Sequence, residues 1–472
     1  MQLTIMCGFG MYYAWYLIAF FGLFMNAPGE IDFVALHTGQ VVFFIGSVLM
    51  AGALLAWFHR TDSVAIGHTR FLYLGSLVPG LALPALVVAD AFGASVPTAA
   101  LYTACLLCGA SVAVGFTLWE DVTTHGRMRQ GVLAHGVIFC AGGVAFALCT
   151  SFLSQAHAAI AAIALLCAST ALLAFITPRC DFLENRPVKP VRDHFRKVWH
   201  IDLVVGVINM AFGFAFMLLY QADNTLLLAT MCLALFVNLA YSIAFGRGKW
   251  VQFAGWARIC TAFVACALLL FICPNEVPRT IALCVIVVFW FLFRTMNGGS
   301  LTDLANYHDY SALYSSVRGK MPANVGFLLG LTLGVCAVAA NSPALQNLYI
   351  PLALIAAFVL ISLFFLPFDN ESSTPGYKTL TLVEMRESPN DDMERSCELV
   401  TSRYKLSPRE SEVLVYLVKG RNAKHVAEKL FISESTAKTH ISNIYRKLGI
   451  HSQQELLDAV DGMDYRPPGK AR

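Results

Sequence analysis

Long apolar runs separated by short polar connections fill residues 1–368. A helix that crosses ~30 Å of hydrocarbon needs about 20 residues at a rise of about 1.5 Å each. Twelve runs reach or approach that length: residues 3–25, 38–58, 71–92, 98–119, 131–154 and 157–177, then 201–221, 225–245, 253–273, 280–293, 322–340 and 348–368. The tenth is the shortest, and the sequence does not mark where it ends. Six runs, a basic connection over residues 178–200 and six further runs predict an all-α membrane bundle of two halves, about 12 spans in a 6+6 layout.

The pattern changes after Phe368. Asp369-Asn370-Glu371-Ser372-Ser373-Thr374-Pro375-Gly376 is too polar to bury an apolar face, which predicts a tether. Charged residues with Met393, Cys397, Leu399 and Val400 interspersed follow, a pattern that suits a lead-in helix. From Leu406 the helical signals are dense. Ser407-Pro408-Arg409-Glu410 reads as a capping box with proline at the first helical position, and Val413, Leu414, Leu417 and Val418 share one face behind it. Gly420 ends that helix, and Asn422 caps a short second one with Val426, Ala427 and Leu430 inward. A third helix runs from about Ser435 to Leu448 with Ala437, Ile441, Ile444, Tyr445 and Leu448 inward, and Gly449 stops it. Ser452 caps a fourth, carrying Leu456, Leu457 and Val460. The predicted division is a membrane domain at 1–368, a linker at 369–403 and a small four-helix domain at 404–465.

Composition sharpens this picture. Of 472 residues, 57% are apolar and only 13% charged, against about 25% charged in ordinary soluble domains. A soluble secreted enzyme, a disordered chain and a fibrous one are excluded. The formal charge of +3 conceals an asymmetry: sixteen Lys/Arg and fourteen acids lie from Thr374 onward, and seventeen and sixteen before it. Basic residues are retained on the cytoplasmic side of a membrane. The connections after even-numbered runs hold fifteen of them, from Arg60 and Arg70 to Arg294, Arg318 and Lys320, and the opposite set holds only Arg279. A multi-pass protein of the inner (plasma) membrane with both termini cytoplasmic is expected. No basic residue precedes the first run, and that run is too long for a signal core, so no cleaved leader is expected.

The 6+6 layout resembles the major facilitator superfamily of transporters. The likeness rests on layout, because Phe58–Arg70 keeps only scattered elements of that family's Gly-x-x-x-Asp-Arg-x-Gly-Arg-Arg loop. In the tail the likeness rests on sequence. Leu406-Ser407-Pro408-Arg409-Glu410, Gly420-Arg421-Asn422-Ala423-Lys424-His425-Val426-Ala427-Glu428-Lys429-Leu430 and the run Ser433–Gly449 closely resemble the LuxR-type DNA-binding domain. Ala437 stands where that family commonly has Val, and Gln453 where Arg is frequent. The resemblance implies a helix-turn-helix whose recognition helix is Ser435–Leu448. It implies that Lys438, Thr439 and Ser442 face base edges in the major groove, while Lys424, Thr436, Arg446 and Lys447 hold phosphates of double-stranded DNA. It further implies a homodimer on DNA, with Leu456, Leu457 and Val460 at the dimer contact. Nine Lys/Arg against six acids over 404–460 give modest, salt-sensitive non-specific affinity.

Few ionisable residues fall within the apolar runs. Asp90, Glu120, Asp121, Asp202 and Arg294 lie near run ends, where an interfacial position is expected. His135 and Arg258 lie deeper. His135 is read either as a packed core histidine or as a ligand or proton contact, and Arg258 either as a side chain snorkelling to the interface or as a coupling residue. The fourteen cysteines scatter singly, apart from Cys105 and Cys108, and are expected to pack as small hydrophobes. Gly326, Gly330 and Gly334 share one helix face, either for packing within the bundle or at a subunit interface.

These features favour a membrane-anchored one-component transcription regulator. Its bundle would sense an unknown small-molecule effector or the state of the lipid bilayer. A secondary transporter with a fused regulatory DNA-binding tail is the alternative. There is no nucleophile elbow, Gly-rich phosphate loop or metal-ligand spacing, so neither an enzyme nor a cofactor is expected.

Overall fold

The computed structural model describes residues 2–23, 33–60, 63–64, 71–125, 131–179, 186–187, 192, 199–222, 224–245, 253–270, 273, 275–307, 311–342, 344–365, 397, 400–401, 404, 406–418, 422–430, 432–450, 452 and 455–456. Contacts divide the chain into two units, Met1–Glu384 and Met385–Arg472. The predicted tether at 369–376 lies outside the described residues, and of the rest of the predicted linker at 369–403 only 397, 400 and 401 are described, all helical.

Among the described residues each predicted apolar run forms helix, the third in two pieces. The first six become α1 (Gln2–Leu17, continued by a π-helical turn, Ile18–Gly22), α2 (Phe33–Arg60), α3 (Phe71–Gly80) with α4 (Ala82–Ala91), α5 (Thr98–His125), α6 (Gly131–Phe152) and α7 (Gln155–Ile176). The second six become α8 (Trp199–Ala222), α9 (Asn224–Phe245), α10 (Phe253–Leu269), α11 (Glu276–Tyr307), α12 (Ala312–Ala339) and α13 (Ile350–Phe365, after a π-helical turn at Leu345–Tyr349). Among the described residues nine spans are long and apolar enough to cross a membrane. Apart from the helices, the described residues hold one two-residue ladder, β1 (Ser63–Val64) antiparallel to β2 (Arg186–Pro187).

A helix pairs its backbone groups within its own segment, which matters where hydrocarbon offers no partner to an open one. Where the helix breaks, something must compensate. The third span is interrupted at Leu81 between Pro79 and Pro84. There the Cys108 sulfur accepts from the Leu83 N–H at 3.4 Å and lies 3.4 Å from the Pro79 and Gly80 carbonyl oxygens. Cys105 and Cys108 are both buried and unoxidised.

Two boundaries differ from the hydropathy reading. The tenth run, predicted as 280–293, is a 32-residue helix ending at Tyr307, and the eleventh begins at Ala312 rather than 322. Polar residues that look like loop remain helical because the charges among them find partners. Arg318 Nη2 lies 2.5 Å from Asp202 Oδ2, and Lys320 Nζ lies 2.5 Å from Glu120 Oε1. Arg294, Arg318 and Lys320 thus lie within helices rather than loops; without them the sequence tally is still twelve basic residues against Arg279.

The two halves meet along α2 against α12 and along α6 against α9 and α11. Within the second half the glycine stripe of α12 lies on α8. A β-carbon on Gly326 would sit 1.9 Å from the Gly206 carbonyl oxygen, one on Gly330 2.1 Å from that of Met210, and one on Gly334 2.6 Å from the Met217 β-carbon. The stripe therefore packs inside the bundle. Gly330→Ala is expected to cost about 1–3 kcal/mol, because the obstacle is backbone and cannot swing away. Gly330→Leu should abolish recovery of monodisperse protein. Thermal unfolding in detergent checks both, and an alanine variant as stable as the parent would contradict this packing.

The C-terminal unit contains α14 (Pro408–Val418), α15 (Ala423–Leu430) and α16 (Glu434–Leu448). Their apolar faces close on one core of Val413, Leu414, Leu417, Val426, Ala437 and Ile444, with Cys397, Val400 and Leu456 completing it. The capping box forms as predicted: the Ser407 N–H donates to Glu410 Oε2 at 2.7 Å and the Glu410 N–H to Ser407 Oγ at 3.3 Å. Asn422, Ser433 and Ser452 cap the N–H groups of His425, Thr436 and Glu455. Gly449 ends α16 at φ 71°, a left-handed conformation that suits glycine. Gly420 lies outside the described residues.

Candidate nucleic-acid interface and membrane cavity

In the C-terminal unit, burial of Ala437 and Ile444 fixes which side of α16 faces outward. At about 100° per residue, Lys438, Ser442, Arg446 and Thr439 fall within an arc of about 100° on the opposite side. All four are exposed. Such a strip of one ammonium, one guanidinium and two hydroxyls can donate to guanine O6 and N7 and to phosphate oxygens.

None of these groups is strongly engaged elsewhere. Lys438 Nζ lies 2.7 Å from Glu434 Oε1, but both side chains are largely exposed, so the pair is weak. The Thr439 hydroxyl donates to the Ser435 carbonyl at 3.0 Å and keeps its lone pairs for a base edge. Arg446 Nη2 donates to Asn443 Oδ1 at 3.0 Å. Thr436 shares a 2.7 Å contact with Ser433 at the start of α16, where a phosphate would also meet free backbone N–H groups. Lys424 is exposed in the first turn of α15.

Two predicted residues have structural roles. Lys447 Nζ donates to Glu410 Oε2 at 2.6 Å, which ties α16 to the start of α14. Leu456 is fully buried in the unit's own core, so its apolar surface is not available to a second copy. Leu457 and Val460 lie outside the described residues.

The Glu410 contact has a measurable consequence. The hydrogen bond from Lys447, then that from the Ser407 N–H, hold its carboxyl down to about 2. The unfolded value is near ~4.3. Because the folded value is the lower one, the stabilisation is complete above about pH 4.3 and is lost as pH falls toward 2. Glu410→Gln is expected to flatten that acid limb and to cost about 1–3 kcal/mol near neutrality. Helical circular dichroism of the C-terminal unit in urea, followed from pH 6 to pH 2, checks this. An acid limb identical in the variant would contradict it.

The membrane unit holds a polar site that the sequence reading placed at an interface. Glu120 on α5 is buried between two partners from different helices. Lys320 on α12 approaches one carboxylate oxygen at 2.5 Å, and His135 Nε2 on α6 lies 3.2 Å from both. His135 is itself fully buried, with Nδ1 donating to the Gly131 carbonyl at 2.8 Å. This cluster joins α5 and α6 of the first half to α12 of the second. Hydropathy could not pair Glu120 with a lysine 200 residues away, and only their shared cost of burial hinted at it.

Arg294 also lies inside the bundle rather than at its edge. Its guanidinium carbon is 5.1 Å from the Trp290 ring centre and between 5.4 and 5.6 Å from those of Phe116, Tyr13, Tyr16 and Phe139. Two cavities of about 50 Å³ each adjoin it, and Phe44, Phe116, Arg294, Lys320 and Asn324 line both. Of the two deep candidates, the structure places His135 in this cluster. Arg258 falls within α10, with its side chain outside the described residues.

Residues 404–460 match the family model described as bacterial regulatory proteins, luxR family. Over 53 residues the chain is 53% identical to the Fimbriae Z protein of Escherichia coli (strain K12), covering 11% of this chain and 25% of that one. The chain thus spans about a quarter of that relative's length. Two solved structures resemble the membrane unit. A bacterial homologue of the iron transporter ferroportin, in its outward-facing state, aligns with a TM-score of 0.55 at 13% identity, covering 77% of this chain and 96% of that one. FucP, a major facilitator superfamily transporter in the outward conformation, aligns with a TM-score of 0.50 at 11% identity, covering 77% and 98%. The chain is an integral membrane protein that carries a DNA-binding domain. Its C-terminal unit is a LuxR-type helix-turn-helix, and its membrane unit has the major facilitator fold.

Proposed function

We propose that this protein is a membrane-anchored, one-component transcription regulator, divided at about 1–368, 369–403 and 404–465. The C-terminal domain reads DNA with Lys438, Thr439 and Ser442 and grips phosphates with Lys424, Thr436 and Arg446. The bundle sits in the inner membrane with both termini in the cytoplasm and reports a small-molecule effector to that domain. It performs no chemistry on the molecule it detects.

The observation that carries this reading is the outward strip on α16. Its side chains are available to a groove while the apolar face behind them holds the domain together. The charge bias of the connecting loops supports a cytoplasmic tail. Dimerisation would fall to Leu457 and Val460, with half-sites about one helical turn apart.

Selection from a random duplex pool with the purified full-length chain in detergent tests the DNA-reading claim. The expected product is a motif of two related half-sites, bound less tightly as salt rises. Recovery of unrelated sequences would count against it. A second reading, transport, is favoured by the fold and by the polar groups around the cavities. Uptake into reconstituted vesicles distinguishes it, because a dedicated sensor shows no sustained flux.

A further inference from the structure

We infer that the paired cavities of the membrane unit bind a small organic carboxylate, held by Arg294 and Lys320 against a wall of aromatic rings. This deepens the sensor reading and rests on it.

Arg294 makes no ion pair among the described residues; it hydrogen-bonds the Tyr16 side chain, and its other neighbours include the rings of Tyr13, Phe116, Phe139 and Trp290. Lys320 is matched by Glu120, and His135 can add only positive charge to that cluster. The site therefore holds one cation more than anions. Burying an unmatched charge in a low-dielectric bundle is costly, and ring faces offset it only in part. A ligand carboxylate supplies the missing counter-charge.

The hydrogen-bonding inventory agrees. Ser47 lines one cavity, is 1% exposed, and its hydroxyl has no partner. Asn324 lines both cavities, and Asn297 lines one. Together with the guanidinium these groups offer several unused donors, and the only carboxylate on the wall, Glu120, is already engaged. A cationic ligand would meet two positive charges and no free acceptor charge. Arginine's planar fork suits two carboxylate oxygens better than a spherical ion.

Size and lining limit the rest of the ligand. A water takes about 10–15 Å³ by this measure, so each cavity holds only a few atoms until Phe44 or Phe116 turns aside. The body must therefore be short or flat and apolar, since Phe139, Trp290 and Phe327 complete the wall. Lys320 lines both cavities and also bonds Glu120, so a carboxylate that draws it away loosens the contact between α5 and α12. That provides a route from ligand to helix movement between the halves.

The test is thermal unfolding of the full-length protein in detergent, titrated with acetate, propionate and benzoate, and with benzamide and chloride as controls. A saturable rise in Tm is expected with at least one carboxylate. Benzamide and chloride should give none at equal concentration. Arg294→Met should remove the response and, with no ligand present, should melt above the parent because it removes the unmatched charge. No response to any of the three acids, an equal response to benzamide or chloride, or an unchanged response in Arg294→Met would overturn the proposal. If Arg294→Met fails to fold, Ser47→Ala serves instead: a benzoate response weakened at least threefold supports the site, and an unchanged one overturns it. DNA selection by the same preparation is independent of these outcomes, so failure here leaves the DNA-reading claim separately decided.

Discussion

Lys320→Ala is expected to destabilise the membrane unit by about 3–5 kcal/mol, more than any surface change in the protein. The reason is the charge it abandons. Glu120 is 3% exposed, and without Lys320 its carboxylate loses the ammonium 2.5 Å away while its contact with His135 remains. Breaking one side of a buried pair leaves the full desolvation penalty of the other. Removing both charges should be far milder, and Glu120→Gln with Lys320→Met is expected to recover most of the loss. Thermal unfolding of the two variants in one detergent checks this. A single variant no worse than the double one would show that the pair contributes nothing to holding α5 and α12 together.

Lys438→Ala is expected to weaken specific DNA binding by about 10- to 100-fold, the worth of one base-edge contact at 1–3 kcal/mol. Folding should be untouched, because Lys438 is exposed and its bond to Glu434 is worth little. Lys424→Ala should behave differently, lowering affinity for all sequences alike and reducing the salt slope by about 1. Fluorescence anisotropy with a selected site and a scrambled duplex separates the two cases. Equal losses on both duplexes for Lys438→Ala would mean that it holds phosphate and reads no base.

The soluble domain was largely legible from residues 406–456 alone. Its caps act over three residues, and its core follows helical spacing, so Ser407, Asn422, Ser433 and Gly449 each announce a local structure. The membrane spans were legible for a related reason: length and hydropathy are local quantities as well. What escaped was long-range. Arg318 and Lys320 look like loop residues until Asp202 and Glu120 are seen beside them, and nothing along the chain links positions 116 and 200 residues apart. Arg294 looked interfacial for the same reason, since the rings around it come from α1, α5 and α6 as well as its own helix. The two candidate readings of the glycine stripe were equally compatible with spacing, and only the approach of the Met210 carbonyl to Gly330 decided between them.

Leu456 illustrates a different limit. Its place on an amphipathic turn suits a dimer contact and a core position equally well. Here it is buried, completing a core that α14, α15 and α16 leave open.

The most direct test of the central claim is to cross-link the full-length protein to DNA in intact cells, purify it from the membrane fraction, and sequence what comes with it. Enrichment is expected at a small number of discrete chromosomal sites sharing one motif, and it should be lost in Lys438→Ala. Recovery of the protein from the membrane with no enriched site, or with a profile that the Lys438 variant reproduces, would contradict it.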